Sequence, residues 1–192
     1  MLSEVEVLDI YRQTGAILEG HFLLTSGLHS PTYLQCARVL QYPWHAEKLC
    51  AQLAADFGDM NIELVAAPAV GGIVVAHEVA RALKVPAIFV ERQDGKLTLR
   101  RGFEVTPGTR VLVVEDVVTT GGSTRETIDV ITALGGNVVA AASLINRSGG
   151  SADIGVPMKS LVTLTVNTYA PETCPLCAAG SAPVKPGSRG LK

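Results

Sequence analysis

The sequence has no basic surplus: 16 Lys and Arg stand against 18 Asp and Glu in 192 residues, a formal net charge of −2. That argues against a nucleic-acid partner, which needs a cationic face. No block of like charge marks an interaction tail. A membrane span is not expected either, because the uncharged run Val130 to Asn146 contains Gly135-Gly136 and reads as a helix end followed by a strand. At the N-terminus, Glu4, Glu6 and Asp9 stand where a secretory leader would carry basic residues, so no leader is expected. Cysteine is scarce. Cys36, Cys50, Cys174 and Cys177 form no disulfide framework, and a reduced, cytoplasmic protein is expected. Cys174-Pro175-Leu176-Cys177 is a lone C-x-x-C without the second ligand pair of a zinc ribbon, so it reads as structural or incidental. His21, His29, His45 and His77 lie in unrelated settings and read as structural. No repeat of solenoid type appears.

What is present is a globular composition, 47% apolar and 18% charged, in a chain long enough for one domain with a core. Strands and helices alternate, so the expected class is α/β: an open, mainly parallel sheet with helices on both faces. The most informative stretch is Val111 to Thr124. Val111-Leu112-Val113-Val114 is an apolar run suited to a strand covered on both faces. It ends in Glu115-Asp116, then Val117-Val118 and the turn Thr119-Thr120-Gly121-Gly122-Ser123. Ser123-Thr124-Arg125-Glu126 has the form of a capping box, with serine at the cap and glutamate three residues on. Thr127, Ile128, Ile131 and Leu134 supply an apolar helix face, and Gly135-Gly136 ends it.

Free amides at a helix start, two glycines and several hydroxyls make an anion cradle of phosphate size. Two acids beside a phosphate would repel it directly. They make sense as acceptors for a neutral diol, so the stretch asks for a ribose flanked by a phosphate. A plain βα turn with its acids facing water is the alternative.

Other segments repeat the plan. Ser3-Glu4-Val5-Glu6 is a capping box, with Val7, Ile10 and Tyr11 at helical spacing and Gly15 as the stop. Phe22 to Leu34 is extended and turn-rich. Pro43 opens a helix with Ala46, Leu49, Leu53 and Phe57 on one face and Gly58 at its end. Glu63 to Ala67 is a buried strand, Pro68 to Ile73 its glycine turn, and Val74 to Lys84 a helix. Val85 to Glu91 is a third strand, and Asp94-Gly95 signals a hairpin turn after it. Arg92, Lys96, Arg100 and Arg101 lie within ten residues there; the hairpin has little to bury and reads as a mobile lid. Asn137 to Leu144 and Leu161 to Val166 are the last strands, and Arg147 stands at the carboxyl end of the first of them, facing the crevice where α/β ligands bind.

The motif from Val111 to Thr124 resembles the phosphoribosyl-diphosphate (PRPP) signature of the type I phosphoribosyltransferases. Phe22 to Leu34, Arg147 and the Cys-Pro-Leu-Cys ending with Val-Lys-Pro-Gly-Ser-Arg are similar to the orotate phosphoribosyltransferases within them. The resemblance spans roughly residues 15 to 190. It implies Mg²⁺-dependent transfer of ribosyl phosphate from PRPP to orotate, giving orotidine 5′-monophosphate and diphosphate in pyrimidine (UMP) synthesis. Glu115 and Asp116 would hold the ribose hydroxyls, and Val117, Val118, Thr119, Thr120, Gly121, Gly122 and Ser123 would line the phosphate site. Arg147, Thr119 and Tyr33 would contact orotate. Mg²⁺ would be held through PRPP, with no protein ligand evident.

The resemblance further implies a homodimer in which the basic loop closes over the diphosphate, often in the neighbouring site. Arg92 is its safest match, and Lys96, Arg100 and Arg101 all compete for the place of the family's catalytic lysine. Asp116, Lys96 and Arg92 are the expected catalytic set. Relatives carry lysine at the positions of Thr25 and Gly71. One domain over 1–192 is expected, with a hood built from about 1–42 and 168–192 covering the crevice. Transfer to another base, or a PRPP-sensing regulator on the same fold, are the rival functions.

Overall fold

The computed structural model describes residues 1–24 and 26–186. Thr25 and the last six residues lie outside the described residues, and with them part of the expected tail.

A capped helix starts the chain. Ser3 Oγ accepts the Glu6 N–H and Glu6 returns to the Ser3 N–H, so α1 (Glu4–Gln13) carries the expected capping box. An antiparallel hairpin follows, β1 (Ile17–Leu23) and β2 (His29–Leu34). The short α2 (Ala37–Leu40) leads to α3 (Pro43–Ala55), which proline opens at its first position. Next come β3 (Leu64–Pro68), α4 (Gly71–Leu83), β4 (Ala87–Gln93) and β5 (Lys96–Leu99). The chain continues through β6 (Arg110–Val118), α5 (Gly122–Ala133), β7 (Asn137–Asn146), β8 (Met158–Thr163) and the single turn α6 (Pro175–Ala178).

Six strands form one sheet in the order β5-β4-β3-β6-β7-β8. Every pairing is parallel except β4 with β5. Side chains alternate across the sheet, as a strand period of two requires. Val65, Ala67, Leu112 and Val114 join Leu49, Leu53, Val75 and Val79 of α3 and α4 on one face. Leu64, Ala66, Val111 and Val113 meet Ile128 and Ile131 of α5 on the other. The β6 run is therefore buried on both faces, which is why it reads as an unbroken apolar stretch. No helix among the described residues is long and apolar enough to cross a membrane.

Two expectations are corrected here. The Ser123–Glu126 capping box does not form. Gly121 takes the cap position of α5 with φ 78°, Ser123 falls inside the first turn, and Glu126 turns outward to the β4–β5 hairpin. Gly121 can turn the chain left-handed, so the helix starts earlier than the serine. The hairpin is also not free of the core. Asp94 and Gly95, both with positive φ, form its two-residue turn, and β5 extends the sheet with Leu97 buried. The helices α1 and α2 pack into the main core. Val7, Ile10, Tyr11 and Val39 sit in the main core, because α1 is amphipathic and needs a partner face.

The hairpin β1–β2 and the tail do stand together. Leu23 N–H donates to Val184 O at 2.9 Å, Val184 N–H to His21 O at 2.8 Å, and His29 and Tyr169 exchange backbone bonds of 2.8 and 2.9 Å.

Candidate active site

The site lies at the carboxyl ends of β3, β6 and β7, where the connecting turns leave the parallel sheet. Glu115 closes the continuous buried run of β6, and Asp116 follows it. Glu115 Oε1 accepts the Asp116 N–H at 3.2 Å, and Asp116 Oδ1 accepts the Val117 N–H at 2.8 Å. Burial, followed by the neighbouring Asp116 charge, pushes the Glu115 carboxyl well above its ordinary range. Asp116 is raised as well, again chiefly by burial. Among the described residues no cationic side chain offsets that burial. Two crowded carboxyls without a counter-charge are prepared for hydroxyl donors or a hard cation.

The glycine turn after β3 packs directly on these acids. A Cβ on Gly71 would meet the Asp116 carboxylate, with Cγ at 2.7 Å, and one on Gly72 would stand 2.9 Å from Ala67 Cβ. A longer side chain at position 71 would thus have to displace the acid. These glycines bring the start of α4 against the carboxylates, a close approach that only glycine allows.

After β6 the chain turns at exposed Thr119 and Thr120 into buried Gly121. The first amide bonded back into α5 is that of Arg125, which donates to Gly121 O at 2.9 Å. The amides of Gly122, Ser123 and Thr124 come before it, at the positive end of a twelve-residue helix. A side chain on Gly121 would meet Ile154 Cγ2 at 2.7 Å in addition to its positive φ. Gly121→Ala is therefore expected to destabilise the fold by about 1–3 kcal/mol, the scale for a non-glycine residue held left-handed. A denaturant midpoint unchanged from wild type would show that the turn is free to relax.

Arg147 follows β7. Its N–H donates to Val118 O at 2.7 Å, so the phosphate motif and this arginine share one strand pairing. Its Nη2 reaches Thr32 O at 3.5 Å, on β2 of the hairpin. Its Nε is buried and has no hydrogen-bond partner among the described residues. Burial lowers the guanidinium's pKa, while Tyr33 and Cys36 beside it act in the opposite sense. Tyr33 is half-buried, packs against the Phe22 ring at 5.8 Å between centroids, and feels the charges of both Arg147 and Asp116. The fold thus brings Tyr33, Glu115, Asp116, Val117 to Ser123 and Arg147 to one end of the sheet. Val118 is different in kind: its side chain is buried and only its backbone faces this region.

The hairpin cations divide between different partners. Arg92 gives Nη2 to Glu126 at 2.8 Å and Nη1 to Gly95 O at 2.6 Å. Glu126 also accepts the Leu97 N–H at 2.8 Å, which pins the hairpin to α5. Arg101 is held by Glu91 at 2.7 and 2.9 Å, and Arg100 lies 3.7 Å from the same carboxylate. Lys96 is exposed and has no acidic partner among the described residues. Reading along the chain misses Glu126 as the anchor of Arg92, since 34 residues separate them. It also misses Cys36, whose thiol lies 3.8 Å from Asp116 O and 3.6 Å from the Tyr11 hydroxyl.

The family model for the phosphoribosyl transferase domain matches residues 39–172. The chain is 52% identical to an orotate phosphoribosyltransferase of Desulforamulus reducens, across 99% of this chain and all of the relative. Among solved structures, an orotate phosphoribosyltransferase from Aeropyrum pernix is similar with a TM-score of 0.67 and 29% identity, covering 82% of this chain and 93% of its own. The Mycobacterium tuberculosis orotate phosphoribosyltransferase in complex with PRPP gives 0.67 and 25%, covering 84% and 96%. Full-length identity above one half, joined to the match of the phosphoribosyl transferase domain over residues 39–172, makes this chain a member of the orotate phosphoribosyltransferase family.

Proposed function

We propose that the chain transfers the ribosyl phosphate group of PRPP to orotate, in the presence of Mg²⁺, for pyrimidine (UMP) synthesis. The single observation that carries the choice of base is the buried, unpartnered Nε of Arg147. A planar cation with an unmet donor fits a carboxylate, which orotate has and uracil and adenine lack.

The chemistry follows from the residues. Amides and hydroxyls from Thr119 to Ser123 hold the 5′-phosphate at the start of α5. Glu115 and Asp116, when ionised, accept the two ribose hydroxyls. The bond from C1 to the diphosphate oxygen breaks with its electron pair leaving on diphosphate, and the ribose gains oxocarbenium character. A ring nitrogen of orotate, fixed by Arg147, Tyr33 and Thr119, then forms the new bond to C1 from the opposite face, and its N–H proton passes to the departing diphosphate or to solvent. Positioning and exclusion of water supply most of the acceleration. Mg²⁺, held through PRPP beside the oxygen-rich pair Glu115 and Asp116, would supply neutralisation of the departing diphosphate. Lys96, with no acidic partner among the described residues, is the hairpin cation best placed to add to it, with Arg92 as the anchor of the loop. A cytoplasmic setting, where thiols stay reduced, belongs to the same reading.

The deciding assay offers PRPP and Mg²⁺ with orotate, uracil and adenine in parallel. Orotate alone should be consumed. Preference for another base would reassign the substrate, and binding of PRPP with no turnover would favour a regulator.

The enzyme is further proposed to act as a homodimer in which the hairpin tip of one subunit completes the neighbouring site. Lys96→Ala mixed with Asp116→Asn should recover part of the activity that each lacks alone. If labelled subunits demonstrably exchange and no activity returns, each site is built within one chain.

A further inference from the structure

The hairpin and the tail share a cluster that ribosyl transfer does not use. His21 lies on β1 and His29 opens β2; Cys174 precedes α6 and Cys177 lies within it. Both histidines and Cys174 are buried, at 6%, 5% and 2% exposure, and Cys177 is partly so. One ligand atom from each residue lies within 4.8 Å of the other three. His21 Nε2 and His29 Nδ1 are 2.9 Å apart. Cys174 Sγ stands 3.6 Å and Cys177 Sγ 3.8 Å from His21 Nε2, and Cys177 Sγ stands 3.3 Å from His29 Nδ1.

Three of these separations, 3.3, 3.6 and 3.8 Å, match the edges of a metal-centred tetrahedron, and the 2.9 Å between the two histidine nitrogens needs only a small opening to join them. Nitrogen at about 2.0–2.1 Å and sulfur at about 2.3 Å from zinc place neighbouring ligand atoms roughly 3.3–3.8 Å apart. The surrounding bonds also prepare the ligands. His21 Nδ1 faces the Ser181 carbonyl at 3.0 Å, so a proton there leaves the Nε2 lone pair directed into the cluster.

We infer that His21, His29, Cys174 and Cys177 bind one Zn²⁺ ion as a closed structural site that clamps the C-terminal tail to the N-terminal hairpin. Two thiolates and two imidazoles suit zinc above the hard cations, and the thiolate charges balance the dication. Four protein ligands leave no open position, so the ion takes no part in chemistry. Its work is mechanical. It closes a loop between residues 153 apart in sequence, His21 and Cys174, which otherwise meet through a few backbone bonds. The same hairpin carries Thr32 and Tyr33 towards Arg147, so the clamp steadies the cover of the base site. A lone C-x-x-C gives no hint of this, because its partners are two histidines at the other end of the chain.

The test is elemental analysis of the full-length protein purified without chelator. One zinc per chain is expected, and Co²⁺ exchanged into the site should show thiolate-to-cobalt charge transfer and tetrahedral d–d bands. Cys174→Ala with Cys177→Ala, and separately His29→Ala, should lose the metal, while His77→Ala, on an exposed histidine, should keep it. A chelator should lower the melting temperature of wild type and leave that of the double cysteine variant unchanged. Wild-type protein with substoichiometric zinc that takes up neither Zn²⁺ nor Co²⁺ would overturn the proposal, as would a Cys174–Cys177 disulfide in the intact mass. The wild-type metal content decides the matter even if a variant fails to fold, and it does not depend on which base is the substrate.

Discussion

Arg147→Ala is expected to raise the Michaelis constant for orotate sharply and to narrow the preference for orotate over uracil by about 2–4 kcal/mol, the cost of truncating one partner of a buried charged pair. The reason is the unmet Nε donor and the burial of the guanidinium, which leave the arginine waiting for an anion. Orotate satisfies it, whereas uracil would leave a buried charge unpaired. Arg147→Lys should restore only part of the preference, since an ammonium lacks the planar fork. PRPP affinity should barely change, because the phosphate cradle lies on the turn from β6 to α5 and Arg147 touches that motif only through its backbone N–H. Loss of PRPP affinity with the base preference intact would move Arg147 to the diphosphate and reopen the identity of the base.

The second large effect belongs to the acid pair. Asp116→Asn and Glu115→Gln should each weaken PRPP binding by about ten- to a hundredfold, since each removes a charged hydrogen bond worth roughly 1.5–3 kcal/mol. The free protein should not lose stability in the exchange, and its pH dependence says why. Burial raises both carboxyls above their ordinary values of 4.5 and 3.8. The native state therefore keeps protons that the unfolded chain has already released. The stability this contributes is fully present below the ordinary carboxylate range and is lost as pH rises through the raised folded values. At pH 8 the amide variants escape that loss, so their melting temperature should equal or exceed that of wild type. PRPP binds the ionised pair, so wild-type affinity should grow as pH rises above the ordinary carboxylate range, and this slope should flatten in the variants. Thermal melts at pH 5 and 8 with calorimetric PRPP titrations would read both. Wild-type binding in both variants would remove the acids from the ribose.

How far such a site can be read from the chain depends on the distance over which each feature acts. The glycine turn and the two acids sit within one stretch, Val111 to Thr124, because a strand, its turn and the next helix must be consecutive. Alternation and apolar runs identify the β6 strand and the faces of α3 and α5 for the same reason: burial imposes a period on neighbours. Capping is also local, yet it was legible for Ser3 and not for Ser123. At Ser123 the competition was tertiary. Gly121 packs under Ile154 and starts the helix early, and the Glu126 carboxylate is taken by Arg92 and the Leu97 amide.

By itself the sequence determined the α/β class, the phosphate turn, the acid pair and the arginine after β7, since each is carried by residues adjacent in the chain. Only the tertiary structure decided the rest. It placed Gly71 against Asp116, left Arg147 Nε without a partner beneath the hairpin, spent three of the four hairpin cations on Glu91 and Glu126, and gathered His21, His29, Cys174 and Cys177. The physical reason is the same in each case. Desolvation and pairing depend on which groups meet across the fold, and groups so far apart in sequence leave no local pattern to read.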